Sequence, residues 1–286
     1  MIRNFLYEIK ESDSINFAFA NILISLISVS TFVLLSNFFS KDDFGLYQLL
    51  ISIIGAFYIF NLSGFDIFIS RQILNKDKEY FIYVLRKIMP ISLVLLFLTS
   101  LMGIYFFEKN KILIFLAFFV AFFQIFDKYF LYLEINQKFK IMRYLDFFNK
   151  ISILFIAIFS IIFSISLNFF LILFSSVLIL FSISRLILQF KALNPFVKLR
   201  NNYSLLNKQS LSRNITIGLS SFALHLESII LGLLNPSLLS IYAVGVIFPA
   251  AAKNITKTLL LGFIPMAELA KLKHFLISTF IILPGK

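Results

Sequence analysis

The chain has 286 residues, of which 60% are apolar and only 14% are charged, and its net charge is +12. Soluble domains average roughly 45–50% apolar and about 25% charged residues, so one water-exposed fold cannot bury this much apolar surface. The composition excludes a soluble enzyme, a nucleic-acid-binding module and a disordered chain. It predicts an all-α protein, a polytopic transmembrane helix bundle, whose Lys and Arg residues orient it in the membrane.

The apolar residues are gathered into long runs that are apolar on all sides. A helix needs about 20 mostly apolar residues to cross the hydrocarbon core. The run Phe275–Leu283 is too short to cross alone. The other runs predict eight spans: Ile15–Phe39, Phe44–Ile69, Ile88–Phe107, Ile112–Leu133, Ile151–Leu167, Phe169–Leu188, Ile215–Leu234 and Leu238–Phe263.

Basic residues are distributed unevenly between the two sides of these spans. The N-terminal tail, the second, fourth and sixth connections and the segment after the eighth span carry nearly all Lys and Arg. The opposite connections contain only Lys41, Lys109 and Lys111. Because cytoplasmic loops retain Lys and Arg, we predict a cytoplasmic N-terminus.

Several features are expected at the membrane surfaces. Tyr47, Tyr105 and Tyr242 fall at predicted outer span ends, where an aromatic belt is usual. The segment Lys78–Lys87 is rich in aromatic and basic residues and predicts an interfacial amphipathic helix. Pro90 falls in the first turn of the third predicted span, a position that tolerates proline.

The sequence predicts neither a metal site nor a cofactor, and no enzyme activity. It contains no Cys and two His residues, so it lacks the ligand clusters that zinc or iron sites need. Its nine Gly residues form neither a GxGxxG motif nor a P-loop. ATP hydrolysis by those routes is therefore not expected.

The first and seventh predicted spans open similar units. The turn SKDDFGLYQL (residues 40–49) and the turn NPSLLSIYAVG (residues 235–245) each join two spans, and Tyr47 and Tyr242 align 195 residues apart. An even number of spans separates the units, which gives them the same orientation. Repeats related by an axis along the membrane normal are common in transporters.

Short motifs in both units are similar to those of bacterial polysaccharide (O-antigen type) flippases, within the multidrug/oligosaccharidyl-lipid/polysaccharide exporter superfamily. The resemblance covers essentially the whole chain. The residues that carry it are Asp42-Asp43-Phe44-Gly45-x-Tyr47, Leu62-Ser63-Gly64-Phe65-Asp66 and Arg71 in the first unit, and Glu227, Tyr242 and Pro249 in the second.

The resemblance implies two six-helix lobes that face each other in a V in the bacterial inner membrane. They would move a polyprenyl-diphosphate-linked oligosaccharide to the outer leaflet for O-antigen, lipopolysaccharide or other surface polysaccharide assembly. Its partners would be that lipid-linked sugar, membrane lipids, a polysaccharide polymerase and chain-length proteins, with no nucleic acid. The family has twelve or more spans, so we expect a truncated member with one lobe (1–190), a cytoplasmic amphipathic connection (191–214) and an incomplete second lobe (215–286).

Charges within the eighth predicted span are the first candidate site. Lys253 and Lys257 are four residues apart and share a helical face, with Asn254 beside them. They would line a hydrated cavity and hold the diphosphate, because a buried amine is usually functional or paired. The alternative is that the span ends near Ala252 and both amines snorkel to the inner interface.

Glu227 and His225 lie within the seventh predicted span. Glu227 is a candidate proton carrier or a counter-ion for Lys253 or Lys257, and the alternative is a structural salt bridge. His225 is two residues away and does not share its face. It is interpreted as a hydrogen-bonded packing residue or as a proton relay.

Asp127 and Lys128 interrupt the fourth predicted span. They would line the first lobe's side of the cavity, Lys128 as a substrate-binding cation and Asp127 as a coupling acid, or they mark an interfacial span end. Asp66 and Arg71 at the end of the second span, and Arg185 near the end of the sixth, are interpreted as gating or snorkelling charges.

Two other functions remain open. A cation-coupled multidrug antiporter of the same superfamily would favour an acidic first-lobe cavity, but the first predicted span has no charge after Asp13. A membrane-embedded glycan-transferring enzyme would need paired acids in a sizeable outer loop. Only Asp42 and Asp43, adjacent in a tight turn, qualify.

Overall fold

A computed structural model describes residues 13–74, 79–128, 131–133, 139–192 and 204–263. Within these ranges the chain is almost entirely helical and contains no strand. The run Phe275–Leu283, and the side chains of Asn254 and Lys257, lie outside the described part.

The described residues contain nine helices with defined bounds, and residues 131–133 are also helical. The helices are α1 (Asp13–Phe38), α2 (Lys41–Phe57), α3 (Ser63–Leu74), α4 (Glu79–Phe106), α5 (Lys111–Phe126), α6 (Phe139–Ile162), α7 (Leu167–Ala192), α8 (Ser204–Leu234) and α9 (Pro236–Phe263). Irregular turns adjoin or interrupt three of them: a 3₁₀ turn, Tyr58–Phe60, follows α2, a π-helical turn, Val84–Ile88, lies within α4, and a 3₁₀ turn, Glu108–Asn110, precedes α5.

Seven of these helices are long and apolar enough to cross a membrane: α1, α2 with its 3₁₀ turn, α4, α6, α7, α8 and α9. The helix α5 is apolar but shorter. The prediction of an all-α polytopic bundle is therefore confirmed, and the chain is a multi-pass membrane protein. We call the membrane face with the tight turns at residues 39–40, 163–166 and 235 the short-turn side, and the opposite face the basic side.

The second predicted span is broken rather than continuous. The helix α2 ends at Phe57, and α3 starts afresh at Ser63 after a turn in which Leu62 has a φ of 55°. A residue with a side chain rarely adopts that left-handed conformation. The fourth predicted span is likewise cut short, because α5 ends at Phe126 and residues 127–128 are not helical.

The described residues of two predicted connections belong to the long helices. The helix α6 begins at Phe139, not at Ile151, and the predicted connection 191–214 contains the end of α7 and the first turns of α8. The prediction ended each span at its basic residues. Lys and Arg have good helix propensity, so a helix continues past the hydrocarbon core into the interfacial region.

The segment Lys78–Lys87 is not the separate interfacial helix that its composition predicted. From Glu79 onward it forms the first turns of α4, and Tyr80 and Phe81 are buried. Pro90 directly follows the π-helical turn and lies in the first turn of the α-helical part Met89–Phe106 of α4, as the sequence predicted. Proline lacks the N–H that would bond to the carbonyl four residues earlier, and this explains why the preceding turn is π-helical.

Aromatic side chains fill the core between the first helices. Tyr47 is buried, and its ring packs edge-on against Phe170 and Phe174 of α7. The prediction that Tyr47 belongs to an aromatic belt is therefore wrong, because α7 covers this face of α2. Tyr105 is 80% exposed, as a belt residue should be.

The two similar units pack against each other reciprocally. The helix α9 contacts α1 and α2, and α8 contacts α2 and α3, whereas α1 and α2 scarcely touch each other. On the short-turn side, the Ser237 hydroxyl donates to Asp42, its equivalent 195 residues earlier. A Cβ on Gly45 would lie 1.9 Å from the Pro236 carbonyl oxygen. This exchange of equivalent contacts is what the predicted axis along the membrane normal requires.

Candidate functional site

The two helix interruptions of the first unit meet in the interior. The break after α2 (residues 58–62) and the break after α5 (residues 127–128) lie side by side, and α7 passes both. A broken helix leaves backbone groups that need new partners, and membrane proteins tolerate this only where protein or water supplies them.

Lys128 supplies such a partner to the α2 break. Its side chain is 5% exposed, and its Nζ lies 3.0 Å from Asp66 Oδ1 in the first turn of α3. The same Nζ donates a hydrogen bond to the backbone carbonyl of Asn61. In this conformation the amine is engaged with the protein and does not face a cavity as a free cation.

Asp127 forms the second ion pair, with Arg185 of α7. The carboxylate and the guanidinium are 6% and 10% exposed. Arg185 also donates to the Ser182 hydroxyl, 3.3 Å away, and the Gln189 side chain accepts a hydrogen bond from the Lys128 backbone N–H at 2.8 Å. These three α7 residues share one buried face.

Together, Asp66, Asp127, Lys128 and Arg185 form what we call the ionic cluster. It contains two acids and two bases and is therefore neutral when all four are ionised. Removing one partner of such a buried pair leaves an uncompensated charge, which is far more costly than the net value of the pair. The cluster can hold the two helix breaks and α7 together.

Arg71, the other predicted gating residue, is not part of the ionic cluster. It lies in the last turn of α3 and is exposed. The sequence grouped it with Asp66, but the two residues are five positions apart on a helix, so they project from different faces. The structure thus separates Arg71 from the four charges that it brings together.

A seam of close contacts runs along α8 from one side of the membrane to the other. Glycines on either helix allow this approach: a Cβ on Gly55 would lie 2.3 Å from the His225 ring, and one on Gly218 would lie 2.4 Å from Ile59. Small residues at helix interfaces commonly permit such packing in membranes. The His225 ring therefore lies against Gly55 of α2, and its role as a packing residue or as a proton relay stays a prediction.

Hydrogen bonds extend this seam to the basic side. The Asn214 side chain accepts from the Gly64 N–H at 3.1 Å, and the hydroxyls of Ser210 and Tyr80 lie 2.8 Å apart. Near the middle of the seam, the Ser221 hydroxyl donates to the Gly55 carbonyl at 3.4 Å. The helix α8 is thus fixed to α2, α3 and α4 along most of its length.

Glu227 lies on the exposed side of α8 and accepts a hydrogen bond from the Tyr242 hydroxyl of α9 at 3.0 Å. From the turn at Asn235, Glu227 is about 12 Å along α8, whereas Lys253 is about 27 Å along α9, at a rise of 1.5 Å per residue. In two helices that leave the same turn, these depths do not match. The counter-ion interpretation of Glu227 therefore lacks support.

Lys253 is exposed and lies about 27 Å along α9 from the turn at Asn235, at a rise of 1.5 Å per residue. Its amine lies toward the basic side rather than at the centre of the span, which agrees with either a cavity mouth or a snorkelling amine. Asn254 and Lys257 follow on the same helix, and their side chains lie outside the described part of the structure.

Sequence reasoning missed the uncharged members of these contacts. The side-chain amide oxygens of Gln189 and Asn214 each accept a hydrogen bond from a backbone N–H, one at a helix break and one across the seam. An amide inside or beside an apolar span is costly unless it has a partner. Amides could therefore have been singled out in the same way as the charges.

The chain was also compared with known proteins. No family model, no curated protein and no solved structure matches it.

Proposed function

We propose that this protein is a transporter of the bacterial inner membrane that flips a polyprenyl-diphosphate-linked oligosaccharide by alternating access. The observation that carries the proposal is the reciprocal packing of the two similar units, with α1 against α9 and α2 against α8. Transporters built from repeated units commonly work by rocking one unit against the other. The family resemblance of the turn at Asp42–Tyr47 supplies the substrate class.

In this mechanism the contacts between the turn after α1 and the turn after α8 close the short-turn side. Asp42 and Ser237 bond to each other there, and Gly45 lies against Pro236. Rocking would separate these contacts and let the sugar and diphosphate leave, while the prenyl tail stays in lipid. Within the first unit, α3, α5 and α7 would move as one body, because the ionic cluster ties them together.

The substrate would enter from the basic side, which we propose to be cytoplasmic. Lys253 and Lys257 are the candidate diphosphate ligands there, since an ammonium is a strong point charge for phosphate oxygens. Replacing both with Ala should abolish flipping without lowering the amount of protein. An unchanged flipping rate would assign both amines to snorkelling.

The proposal can be tested with the purified full chain in liposomes. A polyprenyl-diphosphate-linked oligosaccharide, labelled on its sugar, is placed in both leaflets, and an added glycosidase that cannot cross the membrane destroys the outer pool. We expect vesicles with the protein to lose the inner pool as well. Loss at the rate of protein-free vesicles would overturn the proposal, and proton-coupled exchange of a lipophilic cation instead would favour the antiporter.

A disulfide staple tests the movement separately from the substrate. The chain contains no Cys, so within one molecule Asp42→Cys with Ser237→Cys can form only the intended bond. Oxidation should stop flipping and reduction should restore it, while the single Asp42→Cys variant should respond to neither. Equal flipping by the oxidised double variant would exclude separation of the units on this side.

A further inference from the structure

The linker between α2 and α3 is held from two opposite directions. From the α5 side, Lys128 donates to the carbonyl of Asn61, and from the α8 side, Asn214 accepts from the N–H of Gly64. These two backbone groups are three residues apart. The linker is therefore the point at which both neighbouring elements act on the direction of α3.

The backbone between these two anchors is unusual. Leu62 has a φ of 55°, a conformation that favours glycine, yet its side chain is almost fully buried beside Phe65. A residue keeps such a conformation when surrounding contacts hold it there. A bend maintained by contacts, and not by the preference of its own residue, is able to change when those contacts change.

Lys128 is itself fixed to the rest of the first unit. Its amine also pairs with Asp66, one turn into α3, and its backbone N–H donates to Gln189 of α7. The ammonium thus links both sides of the bend, Asn61 before it and Asp66 after it, to a fixed point. This arrangement sets the angle between α2 and α3.

We propose that residues 61–64 form a hinge whose angle is set by Lys128 and through which movement of α8 is transmitted to α3. The seam contacts place Asn214 directly on the first turn of α3, so α8 cannot shift along its axis without acting on Gly64. The hinge goes beyond the proposed function, because it depends on no particular cargo.

The hinge angle can be measured between spin labels on the full chain in lipid nanodiscs. Cys replacements at Lys41, at the start of α2, and at Arg71, in the last turn of α3, are exposed, and no native Cys competes for the label. A rotation of about 15° at the hinge moves Arg71, eight residues after Ser63, by about 3 Å. Pulsed electron–electron double resonance resolves a distance change of this size.

Lys128→Met should shift or broaden the Lys41–Arg71 distance distribution by up to about 3 Å for a rotation of about 15°, since α3 is then held from the α8 side alone. Lys150→Met, a matched change within the span of α6, should leave it unchanged. The double variant Asp66→Asn with Lys128→Met leaves no unpaired charge and should broaden the distribution too, which covers the case in which Lys128→Met alone does not fold. A parental distribution in the double variant would overturn the hinge.

Asn214→Ala tests the connection to α8. It removes the acceptor of the Gly64 N–H but leaves the ionic cluster intact, and it should also shift the distance distribution. The matched control is Ser212→Ala, an exposed position on the same helix. If Asn214→Ala behaves like its control, α8 does not transmit movement to α3 and that part of the inference is wrong.

Discussion

The helices α1 and α8 open equivalent units, and the same positions on them have very different surroundings. Ile24 and Leu35 of α1 are 7% and 0% exposed, whereas Leu219 and Ile230, 195 residues later, are 55% and 48% exposed. All four residues are large and aliphatic. The helix α6 packs along α1, and in the described part of the chain no helix takes the corresponding place along α8.

This comparison shows that the type of a residue does not indicate whether its side chain is buried in this protein. In a soluble fold, a row of aliphatic residues marks the core face. In a membrane, lipid and protein accept the same residues, and what distinguishes the covered surface is its polar and small residues. The ionic cluster lies in the covered region, whereas Glu227 lies in the exposed one.

The largest difference should come from removing an acid in each region. Asp127→Asn leaves Arg185 buried without its carboxylate and should lower the free energy of unfolding by about 3–5 kcal/mol. Glu227→Gln keeps an oxygen for the Tyr242 hydroxyl at an exposed position and should cost within about 0.5 kcal/mol. Equilibrium unfolding in detergent measures both, and equal losses would contradict the contrast between the regions.

A smaller difference is expected between the equivalent aliphatic residues. Leu35→Ala opens a cavity in a packed site and should cost about 2–5 kcal/mol of unfolding free energy. Ile230→Ala only exchanges one exposed apolar side chain for another and should cost less than about 1 kcal/mol. The same unfolding measurement applies, and a large loss at Ile230 would show that something covers α8 in solution.

Two glycines test the close contact between the units on the short-turn side. Gly45→Ala places a methyl group against the Pro236 backbone, where neither atom can move aside, and should cost about 1–3 kcal/mol. Gly245→Ala meets nothing within 4 Å and should raise stability by about 0.5–1 kcal/mol through helix propensity. Thermal unfolding of the two variants should move in opposite directions, and a shared direction would speak against the close approach.

The smallest effect should arise at the exposed bond between Asp42 and Ser237. A double-mutant cycle with Asp42→Ala and Ser237→Ala should give a coupling of about 0.5–1.5 kcal/mol, the usual net value of one hydrogen bond. A coupling of zero would indicate that the turns meet only through Gly45 and Pro236.

Much of the helical organisation could be predicted from the sequence, because about 20 apolar residues in a row leave few alternatives in a membrane. The helix ends were less predictable. Arg143 and Lys150 looked like a connection but lie within α6, since a helix can extend into the interfacial region and carry charges there. The repeat predicted from Tyr47 and Tyr242 agrees with the observed packing of the units.

The pairing within the ionic cluster could not be predicted. Each of its charges was noticed, but Asp66 pairs with Lys128 and Asp127 with Arg185, across about 60 residues of sequence each. Nothing local in a single sequence selects these partners. Arg71, close to Asp66 in sequence, was grouped with it for that reason and proved to lie apart.

The π turn of α4 has a consequence for how its residues face their neighbours. Such a turn contains one residue more than an α-helical turn, which offsets the parts before and after it by about 100°. In a regular helix Tyr80 and Met89 would point in opposite directions, and the offset brings both onto the side that packs against the bundle. Deleting a single residue between 84 and 88 would turn Tyr80 away from Ser210. The packing of α4 therefore depends on the exact number of residues in this turn, which the hydrophobicity of the helix does not reveal.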